Sequence, residues 1–247
     1  MKSLIRWLVL LIFALMAMQL YFVGRIAAMV VLDPQSTAFE RSEAWRIWSD
    51  RGTLRWRQQW VPYSQISNNL KRAVIASEDD GFSYHDGVDW DALEKAWQKN
   101  NRAEAQAAKK ASAAVIQKRI APRPPKVVGG STITQQLAKN LFLSGERTLL
   151  RKGQEFVLTM LLEALLNKQR ILEIYLNNVE WGEGVFGAEA AAQHYFRKPA
   201  SRLSTYEAAR LAVMLPRPKY FEKLPNSGYL SERAGVIANR LNDATLP

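Results

Sequence analysis

The feature that most narrows what this chain can become is an uncharged apolar run near its start. It extends from Trp7 to Val23, with Gln19 its single polar member. At about 1.5 Å per helical residue, such a run is near the lower limit for crossing a hydrocarbon core of ~30 Å. Arg25 interrupts it, Ile26 to Leu32 resume it, and Asp33-Pro34 end it. On this reading Arg25 snorkels to the headgroups and Met29 to Leu32 pack at the membrane interface. Lys2 and Arg6 precede the span, so the positive-inside rule leaves the N-terminus in the cytoplasm and puts the rest of the chain outside. The rival is a cleaved signal peptide, but Gln19-Leu20-Tyr21-Phe22-Val23 lacks a small-x-small cleavage pattern. The expectation is an uncleaved, single-pass anchor.

That topology changes the meaning of the charge. The 247 residues carry a formal charge of +11, with a pI near 9.9, which calls for an anionic partner. For a basic domain held outside a membrane, lipid headgroups and lipid-linked phosphates are nearer partners than nucleic acid. There is no cysteine, and His85 and His194 are the only histidines. Disulfides, thiolate metal sites and cysteine nucleophiles are thereby excluded, and a multi-histidine metal site is disfavoured. Catalysis must rest on carboxylates, hydroxyls, amides and basic groups.

Residues 35–61 are rich in Trp and Arg, which suits either a membrane-water interface or a short connector packed on the main domain. From Ile66 the pattern turns helical, with Leu70 and Val74 at four-residue spacing until Gly81 breaks it. A second helix is expected over Trp90–Trp97. Residues 99–126 are Ala-rich and basic, closing on Pro122, Pro124 and Pro125. Further helices are expected from Gly129 through Leu143, over Arg147–Leu166 and Lys168–Asn178, and more briefly over Ala188–Tyr195 and Thr205–Leu215. Gly182, Gly184 and Gly187 mark a turn region. Few segments alternate with period two, so the fold is expected to be mainly α.

Three clusters carry chemistry. Glu78-Asp79-Asp80 puts three acids at a helix C-terminus, where the macrodipole disfavours negative charge. Their repulsion should raise at least one pKa toward the range a general base needs. An exposed acidic turn is the plainer reading. Gly129-Gly130-Ser131-Thr132-Ile133-Thr134-Gln135-Gln136 comes next, with Thr132 and Gln135 spaced as a capping box. Such a helix start, with Lys139 two turns in, can take an anion such as a diphosphate; an ordinary capped helix is the alternative. In the third cluster, Arg151 and Lys152 precede Glu155 by four and three residues, placing all three on one helix face. This is either a surface ion pair or, given the apolar run after Glu155, a partly buried one.

Taken together and in order, these clusters resemble the peptidoglycan glycosyltransferases, the lysozyme-like family that polymerises lipid II. Five ordered motifs carry the resemblance, over roughly Trp60 to Phe221. The family's E-D-x-x-F-x-x-H-x-G is present as Glu78, Asp79, Phe82, His85 and Gly87, and its G-x-S-T-I-T-Q-Q as Gly129 and Ser131 to Gln136. Its R-K-x-x-E is Arg151, Lys152 and Glu155, and Lys168 to Asn177 match its fourth motif. Ala188–Pro199 and Glu207–Pro218 resemble its C-terminal helices. Two departures stand out: Arg197 after Tyr-Phe, and a longer basic stretch between the first two motifs.

The resemblance implies a lysozyme-like, two-lobed helical domain preceded by one N-terminal transmembrane helix. The expected bounds are 1–32 for the cytoplasmic N-terminus and anchor, 33–62 for a juxtamembrane connector and 63–247 for the glycosyltransferase domain, with a basic insertion at 99–127. It implies a monofunctional, single-span enzyme of Gram-negative type in the inner membrane, its catalytic domain periplasmic. The expected partners are lipid II, undecaprenyl-diphosphate-linked glycan, the membrane and other cell-wall synthesis proteins. By the same resemblance Glu78 is the general base. Lys139, Arg151 and Lys152 neutralise a leaving diphosphate. Glu155 assists on the donor side, either by orienting those cations or by holding a divalent cation, Mg²⁺ or Mn²⁺. Ser131, Gln135 and Gln136 are candidate ligands of sugar or phosphate. Asp79, Phe82, His85, Glu173, Tyr175 and Asn177 either hold the cleft together or contact ligand. A lysozyme-like glycan-cleaving enzyme and a non-catalytic cell-wall scaffold are the alternatives.

Overall fold

The computed structural model describes residues 2–116, 129–146 and 148–247. The apolar run becomes α1 (Lys2–Ala28), whose N-terminal two-thirds is exposed along its length. The helix is long and apolar enough to cross a membrane. Its last turn behaves differently. Ile26 is fully buried and Met29 is 4% exposed, both within the domain's core, while Val30, Val31 and Leu32 stay exposed. The expectation that Met29 packs at the membrane interface is therefore corrected: burying two large side chains against protein stabilises by roughly 1.5–3 kcal/mol each.

The Trp/Arg-rich stretch is structured rather than loose. Thr37 and Glu40 form a reciprocal capping box that starts α2 (Ala38–Arg51), and Gly52 ends the helix in the left-handed conformation. Gln58 donates to Glu40 across 3.0 Å, tying that cap to the short strand β1 (Arg57–Gln58). Trp45 and Trp48 remain exposed, whereas Trp56 stacks on Phe186 with ring centroids 4.4 Å apart.

α3 (Asn68–Glu78) starts at the cap Ser67 and buries Leu70, Ala73, Val74 and Ile75. α4 (Trp90–Ile116) continues well past the expected end at Trp97, because the Ala-rich stretch is made of the best helix former. The prolines at 122–125 lie outside the described residues. The two-residue capping box expected of Thr132 and Gln135 begins α5 (Ile133–Phe142), and Thr148 caps α6 (Leu149–Leu165). Asn167 caps α7 (Lys168–Asn178), whose bounds are those expected.

The glycine-marked turn holds two strands too short for an alternating pattern to register, β2 (Glu180–Gly182) and β3 (Val185–Phe186). β3 pairs antiparallel with β2 and parallel with β1, making a three-stranded sheet that draws the chain before α3 against the region after α7. Gly184 at φ +73° makes this possible: a Cβ there would lie 2.0 Å from the carbonyl oxygen of Arg55. The chain closes with α8 (Ala188–Phe196), α9 (Thr205–Met214), α10 (Pro218–Glu222) and α11 (Gly228–Arg240). α9 lies between α3 and α11, its Ala208, Ala209 and Ala212 allowing close approach; α5 lies on α6 and α7. The end of α3 and the start of α5 thus meet between two helical groups.

Candidate active site

Asp79 makes that meeting rigid. One of its carboxylate oxygens accepts the Ile133 N–H at the start of α5 (2.8 Å), and the other accepts from His85 Nε2 (2.8 Å). His85 Nδ1 in turn accepts the Gly87 N–H (3.1 Å), so the ring carries its proton on Nε2. The Gly87 carbonyl accepts from the Thr132 hydroxyl (2.6 Å). Gly87 has φ +83°, and a Cβ on it would come within 2.8 Å of Thr159 on α6. Phe82 is fully buried beneath this turn, with the Lys168 ammonium 4.7 Å from its ring centre. Asp79 and His85 accordingly join the end of α3 to the start of α5, and Phe82 packs in the core beneath them.

Glu78 is left half-buried at the end of α3. Its Oε2 accepts from the Gln136 amide (3.0 Å), whose oxygen accepts from the buried Tyr175 hydroxyl (3.0 Å). Among the described residues no cation lies within ion-pairing distance of Glu78. Burial pushes its pKa above the usual carboxylate value and Asp79's charge adds to this, while the Gln136 hydrogen bond and Lys139 pull the other way. The expected cause, repulsion within the acidic triplet, is present but secondary to desolvation. Asp80 has turned outward to Arg240 (2.9 Å). Beside Glu78 opens a cavity of about 360 Å³ with Ser131 and Gly130 on its wall. Lys95, Lys99 and Arg240 line it too; no sequence motif had singled them out, although Lys95 and Lys99 share one face of α4 at i, i+4 spacing.

One turn along α5 from Gln136 stands Lys139. It shares a cavity of about 210 Å³ with Arg151, Asn140 and, from α2, Phe39 and Ser42. Protein crowding around the ammonium pulls the Lys139 pKa down; Glu155 opposes this, Arg151 and Lys152 add to it, and Glu78 opposes it weakly. Glu155 is only 4% exposed. Arg151 Nη1 donates to one of its oxygens (2.8 Å) and Lys152 to the other. With both its oxygens engaged by cations, the buried carboxylate fixes Arg151 and Lys152 in place. Among the described residues no group of three His, Asp or Glu side chains is set to hold a metal ion by itself; a divalent cation at Glu155 would draw its remaining ligands from substrate phosphate and water.

The remaining candidates fall in two places. Ser131 is exposed on the cavity beside Glu78, whereas Gln135 is buried, its Oε1 accepting the Thr132 N–H (3.2 Å) to complete the cap. Glu173 and Asn177 lie away from Glu78. Glu173 accepts the Tyr63 N–H (2.8 Å) and an Arg170 hydrogen bond (2.7 Å), and lines a separate cavity with Val30 and Leu165. Asn177 grips both the N–H and the carbonyl of Val61 (2.9 and 3.0 Å). Both anchor the segment entering the domain to α7.

The arrangement therefore pairs a carboxylate with no cation on it, beside an open cavity, with a group of cations that begins at Lys139, one turn along α5 from the amide that holds Glu78. The first can take a proton and the second can hold an anion. Comparison with known proteins identifies the family. A biosynthetic peptidoglycan transglycosylase of Burkholderia thailandensis is 54% identical over 95% of this chain and 84% of its own length. Proteins of the same name from Burkholderia pseudomallei and Burkholderia orbicola are 53% and 50% identical, again over 95% of this chain. Residues 49–242 match the Transglycosylase family, most of the domain just described, and the chain belongs to that family.

Proposed function

We propose that this protein is a peptidoglycan glycosyltransferase that polymerises lipid II, anchored by α1 in the bacterial inner membrane with its domain on the periplasmic side. The observation that carries the reading is the separation of Glu78, which has no cation on it, from Lys139, Arg151 and Lys152, which cluster around the buried Glu155. The acceptor, lipid II, offers the 4-hydroxyl of its GlcNAc in the cavity beside Glu78. Glu78 takes that proton as the oxygen attacks the anomeric carbon of the donor MurNAc. The bond from that carbon to the diphosphate oxygen breaks, its electron pair leaves with undecaprenyl diphosphate, and the new linkage is β-1,4 with inversion. Lys139, Arg151 and Lys152 stabilise the departing charge in place before it develops, the arrangement that makes electrostatic catalysis effective. Gln136, held by Tyr175, orients the Glu78 carboxylate.

The membrane seat has its own support. Gln19 of α1 exchanges hydrogen bonds with Gln154 of α6 (3.0 and 3.3 Å), and Phe22 packs edge-on against Phe142. On the same side, Leu149 and Leu150 at the start of α6 are 91% and 88% exposed, with Phe156, Trp90 and Trp97 also exposed. Large apolar side chains next to a spanning helix belong in the headgroup region. A lipid-linked substrate then reaches the cavities without leaving the bilayer.

A glycan-cleaving enzyme would pair a protonated acid with a second, free carboxylate; here the second carboxylate is neutralised by two cations. The deciding experiment gives the detergent-solubilised protein purified lipid II and, separately, preformed glycan strands. Polymer from lipid II with intact preformed strands is expected. Cleavage of the strands without polymerisation would overturn the reading, and neither activity would favour a scaffold.

A further inference from the structure

A further cavity, of about 670 Å³, lies between α2, β1, the β2–β3 turn and α10, and none of the residues that line the cavity beside Glu78 lines it. Resting on the proposed polymerase activity, we infer that this cavity is a distal binding site for the growing glycan strand, recognising a saccharide ring on Trp56 and stem-peptide carboxylates on its arginines.

Its floor is aromatic. Trp56 is half-buried, with one face stacked on the buried Phe186 at 4.4 Å and 23°, and it lines the cavity as a rigid platform. Such amphipathic rings supply large contact area at little conformational cost. Its walls are cationic beyond what the protein itself neutralises. Arg51 is paired with Glu183, and Arg57 donates to His194 Nδ1 (3.2 Å). The two acids are already committed: Glu183 to Arg46 and Arg51, and Glu222 to the Glu183 N–H (2.9 Å) and to His194 Nε2 (3.4 Å). Arg55 and Lys223 face the same cavity with no ion-pair partner among the described residues. Unspent guanidinium and ammonium groups beside a half-buried aromatic suit a ligand that is both a sugar and an anion.

Continuity with the reaction site selects the glycan over other anions. The same helix, α2, lines both places: Phe39 and Ser42 border the cavity of Lys139 and Arg151, while Ile47 and Arg51 border this one. Ser42 and Arg51 are separated by roughly 14 Å along that helix, within reach of a few sugar residues. Phe39 and Trp56 also lean on the same ring, Phe186, with Phe39 at 6.2 Å, so the two cavities share one rigid aromatic support. A strand whose reducing end sits at the cations of the donor site would thus meet Trp56 as it lengthens.

The test is a calorimetric titration of the full-length protein in detergent with soluble, uncrosslinked glycan-peptide oligomers, run beside lipid II polymerisation. Amidase-stripped oligomers and polyglutamate are the controls. Wild type should bind the intact oligomers, the stripped ones more weakly, and polyglutamate least. Arg55→Glu, a change at an exposed residue, should weaken oligomer binding roughly ten-fold, the effect expected of a charge-assisted contact. It should also shorten the polymer at an unchanged initial rate. Trp56→Leu should weaken the stripped oligomers as well. A wild-type protein that polymerises lipid II yet binds no oligomer would overturn the site alone, leaving the activity standing. Equal binding of polyglutamate, indifferent to Trp56→Leu, would assign the cavity to an acidic polypeptide instead. The titration decides this whether or not the chain polymerises.

Discussion

Glu78 and Glu155 are the same side chain in opposite circumstances. Both sit where helices meet, and both are substantially shielded from water. Glu155 has a cation on each oxygen, so its charge is compensated and its geometry set by two hydrogen bonds. Glu78 has one neutral amide, a like charge next to it in sequence, and an open cavity in front. A carboxylate placed like Glu155 has no free oxygen to turn toward a substrate hydroxyl, both being held by cations. One built like Glu78 binds a proton more readily than an ordinary glutamate, and the fold bears the cost of keeping it charged. On the proposed function, the difference gives proton transfer to one and charge organisation to the other.

The largest expected effect that tests this difference is on rate. Glu78→Gln keeps the shape and the Gln136 contact but removes the base, and polymerisation of lipid II should fall by about 10²- to 10⁴-fold. Retention of most of the rate would reassign the base. Glu155→Gln should cost less rate but more stability. It strips the charge that holds Arg151 and Lys152, at about 1–3 kcal/mol, and raises the KM for the donor more than it lowers kcat. If thermal unfolding and donor KM are both unchanged, the cations are placed by something else.

The pH profile should come next. The acid limb of kcat/KM follows ionisation of Glu78 and should lie above 4.5, the value of an unperturbed glutamate. The alkaline limb follows loss of the Lys139 proton and should lie below 10.5. Lys139→Arg, which keeps its charge at every accessible pH, should remove the alkaline limb and leave the acid one. An alkaline limb that persists in this variant would belong to another group. The smallest effect is expected for Tyr175→Phe. It frees Gln136 from one hydrogen bond, worth about 1 kcal/mol, and should lower the rate several-fold without changing donor KM.

How much of this was visible in the residues depended on distance along the chain. Local chemistry was legible: Thr132–Gln135 reads as a cap and is one, and Lys168–Asn178 reads as a helix and is one. So was the shared face of Arg151, Lys152 and Glu155. Long-range pairing was not. Nothing in the spacing of Glu173 and Asn177 announces that they hold the backbone at Tyr63 and Val61, more than a hundred residues upstream. The strands β1 and β3 are two residues each, too short for alternation to register, yet they bring Trp56 onto Phe186. Met29 looked like a continuation of the apolar span, and only the domain's own core shows why it is buried. The acids at 78–80 suggest a raised carboxyl pKa through repulsion, whereas burial is the larger cause at Glu78 and depends on the long-range packing that brings Gln136 of α5 to it.

The most direct test of the unequal glutamates needs no substrate: thermal unfolding of Glu78→Gln and Glu155→Gln from pH 4 to pH 8. A carboxyl whose folded pKa is raised costs nothing below about pH 4.5, where both states are protonated. Above that value the unfolded chain releases its proton first, and stability drains away as pH rises through the window up to the folded pKa. Glu78→Gln should therefore unfold at or above the wild-type temperature near pH 7.5, with the gap closing toward pH 4, while Glu155→Gln unfolds below wild type at pH 7.5. Two variants destabilised alike at that pH would contradict the division of roles.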